Sequence, residues 1–372
     1  MLKTEPILLE ELTTAGKRRF GVATLNAPDS LNALSLEMVR SLRPALEKWA
    51  QDPDIAGVFL QGAGEKAFCA GGDIRELYAS LRETSNPPGE YARSFFAEEY
   101  QLDYLIHAYP KPFLCWGHGI VMGGGLGLMA GASHRVVTSK SRIAMPEVTI
   151  GLYPDVGGSW ILRRMPGRVG LFLGLTAAPL NAADALFCGL GDFHIEAERR
   201  QEVLSALAAT VWSGEERSDR AELSRLLARY TTSQGPVSKV REHFDLLNRL
   251  MAGEDLREIA ARIAAMESED AWLAGARSAF VKGSPTSAAL AFELWQRVPH
   301  LSLAAVFRLE YLVSLGCCAH SDFIEGVRAL LIEKDRKPQW NPPSLLEVTA
   351  SLVESHFETR FQGPHPLQGL GS

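Results

Sequence analysis

The sequence is short of paired cysteines, of long apolar runs and of excess positive charge, and each shortage narrows what the chain can be. Its five cysteines, Cys69, Cys115, Cys188, Cys317 and Cys318, include no CxxC spacing and are odd in number. That argues against a zinc site and suits a reducing compartment, expected here to be the cytoplasm. No segment offers eighteen unbroken apolar residues, so no spanning helix is expected. The N-terminal text MLKTEPILLEEL is acidic where a signal or transit peptide would be basic. A net charge of −6 speaks against a nucleic-acid partner, although a local Lys/Arg cluster could still hold an anionic ligand. Internal repeats and low-complexity tracts are also missing.

What is there is the composition of a globular protein, 46% hydrophobic and 22% charged over 372 residues, enough for roughly two domains. The densest stretch runs from Lys111 to Gly158, KPFLCWGHGIVMGGGLGLMAGASHRVVTSKSRIAMPEVTIGLYPDVGG. An apolar strand, Pro112 to Trp116, leads into Gly117, Gly119 and the triplet Gly123, Gly124 and Gly125, and then into helix-forming text from Leu126 to Ala132. Three adjacent glycines cost roughly 1 kcal/mol each against alanine inside a helix, so a positive φ or a close backbone approach is expected there. Free N–H groups at such a turn can hold a developing negative charge. Met145-Pro146-Glu147 then places a carboxylate after a proline, and Asp155 follows beside Gly157 and Gly158. Amides that bind an oxyanion, together with one or two carboxylates, predict chemistry on an acyl group.

Taken in order, the chain predicts a strand at Phe20–Asn26, a helix over Asn32–Trp49 capped by Ser35 and kinked at Pro44, and a strand at Ile55–Gln61. This βαβ order predicts a parallel sheet. Lys66-Ala67-Phe68-Cys69-Ala70-Gly71-Gly72-Asp73 repeats the strand and glycine-turn pattern before a helix at Ile74–Leu81. A loop at Ser85–Gly89 precedes a long helix, Tyr91–Ala108, carrying Glu98 and Glu99. Two helices fall within Gly170–Leu190. Beyond Glu196 the text becomes amphipathic and helical, at Gln201–Trp212, Arg220–Tyr230, Leu256–Met266 and Ser302–Leu315, with a charged loop at Gly214–Asp219. Asp322 and Glu325 read as a capping box for a helix at Phe323–Ile332. The expected organisation is a catalytic core over 1–195, a helical region over 196–362 and a disordered tail over 363–372.

KAFCAGGDI, GHGIVMGGGLGL and MPEVTIGLYPDVGG resemble the signatures of the crotonase (enoyl-CoA hydratase/isomerase) superfamily. FFAEEYQLDY, the aspartate of GLYPDVGG and the C-terminal runs SPTSAALAFEL, FRLEYLVSLGCCAHSDFIEGVRALLIEKDRKPQW and PPSLLEVTASLVESHF narrow the resemblance to its 3-hydroxyisobutyryl-CoA hydrolase branch. It spans nearly the whole chain. It implies an α/β fold, a crotonase-like spiral of ββα repeats with a helical C-terminal region. It implies hydrolysis of a short-chain 3-hydroxyacyl-CoA thioester, as in valine breakdown, with CoA carried by the substrate and no separate cofactor or metal.

By the same resemblance, the amides of Gly72 and Gly124 bind the thioester oxygen, Glu147 and Asp155 act on the acyl group, and Glu99 lines the pocket. The CoA moiety falls to Ala70, Gly71, Asp73 and Ile74, with Lys66 and Arg75 as candidates for its phosphates. The family often forms trimers or rings through C-terminal helices, so a homo-oligomer is open, although the extra helical text could equally cover that surface. One departure stands out: hydratases of the superfamily carry a second glutamate shortly after the glycine triplet, and Gly127 occupies that position. Hydration wants two carboxylates sharing one water, whereas thioester hydrolysis does not need the second.

Competing readings attach to the same residues. Glu147 could be a surface carboxylate after a turn proline, Asp155 a cap for a helix near Gly157, and Glu99 part of a solvated face. Gly125-Leu126-Gly127-Leu128-Met129-Ala130 imitates a dinucleotide fingerprint, but leaves Pro146 and the turn at Gly71 unexplained. Cys69 with His118 could exchange thioesters, against the usual role of a buried cysteine as a small hydrophobe. His118 and His134 read as structural or surface residues. An enoyl-CoA hydratase or isomerase, and a noncatalytic CoA-binding member of the fold, are the alternative functions.

Overall fold

The computed structural model describes residues 5–84 and 88–371. Three residues of the loop expected at Ser85–Gly89, 85–87, lie outside the described residues, as do 1–4 and Ser372. The chain forms two compact units gathered from interleaved segments. A sheet unit comprises Met1–Gly72, Leu105–Ile143 and Leu180–Arg241, and a helical unit comprises Asp73–Tyr104, Ala144–Pro179 and Glu242–Ser372.

The sheet unit is built on β1 (Ile7–Thr13), β2 (Arg19–Leu25), β3 (Ile55–Gly62), β5 (Phe113–Gly117), β7 (His134–Val137) and β9 (Phe193–His194), in the order β1-β2-β3-β5-β7-β9. β1 runs antiparallel to β2, and every other pairing in this sheet is parallel, as the βαβ order predicts. β3 is buried over nearly its whole length, as a central parallel strand must be. β1 escapes sequence reading because it is a mostly exposed edge, with Glu10 and Glu11 adjacent and no alternation of buried and exposed residues. A second sheet has the order β4-β6-β8, from β4 (Ala67–Cys69), β6 (Ile120–Met122) and β8 (Arg142–Ala144).

Helix α1 (Leu36–Gln51) opens on Ser35, whose side chain accepts the Met38 N–H at 3.1 Å, and it continues through Pro44. Its apolar stripe, Leu36, Val39, Leu42, Leu46 and Trp49, is buried. Asn32 is not its first residue. With φ +55 it sits in a loop, where its side chain accepts from Ala27 N–H at 3.0 Å and donates to the carbonyls of Ala63 and Ala67 at 2.9 Å. Asn32 thereby pins the segment that leads to the first glycine turn.

The other helices of this unit are α4 (Gly124–Ala130), α7 (Ala182–Cys188), α8 (Arg200–Ala209), α9 (Glu216–Ala228) and α10 (Lys239–Glu242). Val203 and Leu207 of α8 and Leu223, Leu226 and Leu227 of α9 join Phe20, Phe59, Leu114, Trp116 and Trp212 in one core. The boundary expected at 195/196 therefore falls inside this unit: α8 and α9 cover a face of the main sheet, which amphipathic helical text alone does not reveal. The start of α9 lies within the loop expected at Gly214–Asp219, because Asp219 accepts the N–H groups of Ser213 and Gly214 at 2.8 and 2.7 Å and closes the turn.

The helical unit holds α2 (Ile74–Glu83), most of α3 (Glu90–His107), α5 (Gly158–Arg163), α6 (Val169–Thr176), α11 (Phe244–Leu250), α12 (Leu256–Ala264), α13 (Ala271–Lys282), α14 (Pro285–Arg297), α15 (Leu303–Ala319), α16 (Ser321–Val327) and α17 (Ala350–Ser355). The capping box expected at Asp322 and Glu325 does not form. Asp322 instead accepts from the Ser284 hydroxyl at 2.6 Å and the Asn341 N–H at 2.8 Å, while Glu325 pairs with Arg328 at 2.8 Å. The tail expected to be disordered is packed: Leu367 is buried, and Arg308 donates to the carbonyls of Leu367 and Leu370 at 3.3 and 3.1 Å.

Candidate active site

Both glycine turns expected to bind an oxyanion lie in the sheet unit. Parallel pairing of β4 with β6 brings them together. A Cβ on Gly71 would lie 3.3 Å from the Met122 carbonyl oxygen and 3.9 Å from the Gly124 nitrogen. The triplet now has its reason. Gly123 has φ +48 and ψ −125, where a side chain is strained, and a Cβ on Gly125 would collide with the Cys69 carbonyl oxygen. Gly124 is the first residue of α4, so its N–H is one that a helix leaves without an internal acceptor. Gly71 has φ +111, and its carbonyl takes the Leu34 N–H at 2.8 Å, which anchors the turn without using the N–H of Gly72.

The acid side chains lie in the helical unit, on α3, on the turns after β8 and on α15. Glu99, Glu147 and Asp155 are 2%, 4% and 4% exposed, so none belongs to a solvated surface. Glu147 opens a short 3-10 turn, Glu147–Ile150, and its Oε2 is buried without a hydrogen-bond partner among the described residues. Asp155 does not cap α5 with its side chain; its Oδ2 accepts from the Tyr100 hydroxyl at 2.7 Å. Two further buried acids accompany them, Asp103 one helical turn beyond Glu99, and Glu310 on α15.

Burial is the first cause of the perturbed acidity of all five, and repulsion from neighbouring acids adds to it for Glu99, Asp103, Glu147 and Glu310. Glu147 is raised well above the ordinary carboxylate range by burial, then by Asp155, Glu99 and Glu310. Glu99 and Asp103 are raised for the same reasons. Glu310 is pushed up to about 8, against the pull of two main-chain donors. Asp155 rises by burial only to about 6, because the Tyr100 hydroxyl supports its anion. Burial and repulsion thus push Glu147 toward its neutral form, while the Tyr100 hydroxyl favours the anion of Asp155.

Of the residues expected to meet CoA, Lys66, Ala70 and Gly71 are in the sheet unit, and Asp73, Ile74 and Arg75 are in the helical unit. Lys66 and Arg75 are exposed, and Asp73 caps α2 by accepting the Glu76 N–H at 3.3 Å. Cys69 and His118 do not form a nucleophile pair: the Cys69 thiol lies 3.6 Å from the Gly71 carbonyl, and His118 Nε2 lies 3.0 Å from the Gly64 carbonyl.

A family model described as enoyl-CoA hydratase/isomerase matches residues 20–357. The chain belongs to the enoyl-CoA hydratase/isomerase family. Among its curated relatives, 3-hydroxyisobutyryl-CoA hydrolase, mitochondrial, of Danio rerio is 37% identical over 91% of this chain and 87% of its own length. The Homo sapiens protein of the same name is 36% identical over 94% of this chain and 89% of its own. Among solved structures, a carnitinyl-CoA dehydratase from Mycobacterium thermoresistibile superimposes with a TM-score of 0.86 at 33% identity, covering 98% of this chain and all of that one. An enoyl-CoA hydratase from Rhodobacter sphaeroides gives 0.82 at 35% identity, over 95% of this chain and 97% of that one. The enoyl-CoA hydratase/isomerase fold, crotonase-like and mixed α/β, is thus the fold of this chain.

Sequence reading missed Tyr100, Tyr153, Glu310 and Ser314, all buried beside the acids. Tyr100 follows Glu99 directly, and Tyr153 stands two residues before Asp155, so proximity in the chain was a usable signal for both. Glu310 and Ser314 lie more than 150 positions further on, and only the folded helical unit brings them to Asp155.

Proposed function

We propose that the protein hydrolyses a short-chain 3-hydroxyacyl-CoA thioester, with 3-hydroxyisobutyryl-CoA as its substrate, giving 3-hydroxyisobutyrate and CoA, the thioesterase step of valine breakdown. The observation that carries the reading is Gly127, buried in α4 where a family hydratase has a carboxylate. It weighs against hydration although both structural relatives carry hydratase or dehydratase titles, and the names of the curated relatives support hydrolysis.

In this mechanism the N–H groups of Gly72 and Gly124 hold the thioester oxygen, each worth roughly 3 to 4 kcal/mol of barrier as charge develops on it. Asp155, the ionised acid, accepts a proton from water as the water oxygen attacks the carbonyl carbon. The tetrahedral intermediate collapses with cleavage of the C–S bond, and Glu147, pushed toward its neutral form by burial and with Oε2 unpartnered among the described residues, gives its proton to the departing thiolate. Proton return from Asp155 to Glu147 completes the cycle. Glu99 lines the acyl pocket, and Ala70, Gly71, Asp73 and Ile74 bear on CoA, with Lys66 and Arg75 toward its phosphates. CoA arrives with the substrate, so no separate cofactor enters.

The test is thiol release from a panel of short 3-hydroxyacyl-CoA esters, run beside loss of enoyl absorbance. Thiol release fastest with 3-hydroxyisobutyryl-CoA is expected. Enoyl consumption without thiol release would make the protein a hydratase, and CoA binding without turnover would make it a noncatalytic member. Two weaker proposals accompany this one. The odd cysteine count and the lack of CxxC spacing support a reducing compartment, proposed to be the cytoplasm and tested by fractionation. Self-association is tested by sedimentation.

A further inference from the structure

α15 carries Glu310 and Ser314 one helical turn apart, and both are fully buried. Glu310 accepts the N–H of Gly157 on Oε2 at 2.7 Å and the N–H of Ser159 on Oε1 at 3.0 Å. Those amides belong to the turn immediately after Asp155, where Val156 and Gly157 have φ +53 and +79. A β-branched residue in that conformation is strained, and needs outside support to stay there. Ser314 acts on the side chain. Its hydroxyl lies 2.7 Å from that of Tyr100, the partner of Asp155, and 2.9 Å from that of Tyr153, which donates to the Glu310 carbonyl at 2.6 Å.

We infer that this face of α15 positions Asp155 for the reaction, with Glu310 clamping its backbone turn and Ser314 holding the hydroxyl that holds its carboxylate. The inference rests on the thioesterase reading and assigns the helical C-terminal region a part in it. A proton count supports the arrangement. The row Asp155, Tyr100, Ser314, Tyr153 and Glu310 carbonyl has four contacts, and with Asp155 ionised only three hydroxyl protons serve them. Tyr100 donates to Asp155, Ser314 to Tyr100 and Tyr153 to Glu310, which leaves the Ser314–Tyr153 contact, the longest, without a proton. When Asp155 takes the proton of water it supplies the fourth, and the whole row can turn to donate toward Glu310. The positioning row therefore accommodates both states that a base must pass through. The ionisable groups whose charges bear on Asp155 include Glu99, Tyr100 and Asp103 from α3, Glu147 and Tyr153 from the turns after β8, and Glu310, Cys317 and Cys318 from α15.

The test compares Glu310→Gln and Ser314→Ala, each alone and combined with Asp155→Asn, in the full chain. A glutamine offers one acceptor oxygen to two amides, so Glu310→Gln is expected to lower kcat by about ten- to a hundredfold with KM nearly unchanged. In Asp155→Asn the same change should cost almost nothing further, because Glu310 acts through Asp155. Ser314→Ala is expected to move the acid limb of the kcat/KM profile to higher pH, which a general loosening would not do. Hydrogen exchange at the amides of Gly157 and Ser159 should quicken in Glu310→Gln, a readout that needs no turnover. Losses that add to that of Asp155→Asn, or unchanged exchange at both amides, would overturn the inference. If Glu310→Gln does not fold, the Ser314→Ala profile decides. Wild-type protein that releases no thiol defeats the thioesterase reading instead, and leaves the exchange measurement to judge the clamp.

Discussion

Removing one hydroxyl, in Tyr100→Phe, should shift the pH dependence of the enzyme without removing any acid. The Tyr100 hydroxyl donates to Asp155 Oδ2 at 2.7 Å in a fully buried setting, so it stabilises the anion far more than the neutral acid. A hydrogen bond to a charged group contributes about 1.5–3 kcal/mol. At 1.36 kcal/mol per pKa unit, its loss should raise the Asp155 pKa by roughly one to two units. The acid limb of kcat/KM, expected near the Asp155 value of about 6, moves upward accordingly. At pH 6 the variant should then hydrolyse 3-hydroxyisobutyryl-CoA roughly tenfold more slowly than wild type, and near pH 9 the two should converge. Continuous thiol release between pH 5 and 9 measures both limbs. A limb that stays in place, or a loss equal at every pH, would refute the assignment of Asp155 as the ionised base.

Glu147→Gln should lower kcat by about a hundred- to ten-thousandfold and abolish the fall in rate at high pH, since the proton donor to the thiolate is gone; full thiol release would remove Glu147 from this role. Asp155→Asn should lower kcat by about a hundred- to ten-thousandfold, leaving measurable turnover, and should stabilise the protein. The folded Asp155 pKa is raised from 3.8 to about 6, so folded-state ionisation costs roughly 3 kcal/mol, absent below the unfolded value and complete once pH passes the folded one. Urea unfolding at pH 7.5 should show the variant more stable, and at pH 3.5 the gap should close. Gly125→Ala should destabilise the sheet unit by about 1–3 kcal/mol, because its Cβ meets the immobile Cys69 carbonyl rather than a flexible side chain; an unchanged unfolding midpoint would contradict that packing.

The parts of this fold legible in the sequence are those that local chemistry dictates. Ser35 before an apolar period marks α1, and the glycines at 123 and 125 are required by one φ and one close approach. Glu147 and Asp155 drew attention through their motif, and the roles proposed for them rest on a resemblance that spans the chain; their burial was not legible in spacing alone. The misreadings have another cause. Asp322 looks like a helix cap until Ser284 and Asn341 arrive from distant segments, and α8 and α9 look like a separate helical region until Trp212 and Leu223 are seen in the core of the main sheet. In both cases a long-range partner wins over the local option, and the sequence window does not contain it.

The same logic explains why a chain so close in fold to hydratases should hydrolyse. Adding water across a double bond needs two carboxylates on one water, one to take its proton and one to deliver a proton to carbon. Gly127 leaves α4 without that second acid, while the helical unit concentrates Glu99, Asp103, Glu147, Asp155 and Glu310 in one buried cluster. Burial and mutual repulsion disfavour several charges in such a cluster, and the donors each acid finds decide how far it is pushed toward the neutral form. An anion beside a neutral acid is what hydrolysis of a thioester requires, because the attacking water must lose a proton and the thiolate must gain one. What favours the anion at Asp155 is its partner: Asp155 has a hydroxyl donor, Glu147 Oε2 has none among the described residues, and on the proposed mechanism that asymmetry gives Asp155 the part of proton acceptor and Glu147 that of proton donor.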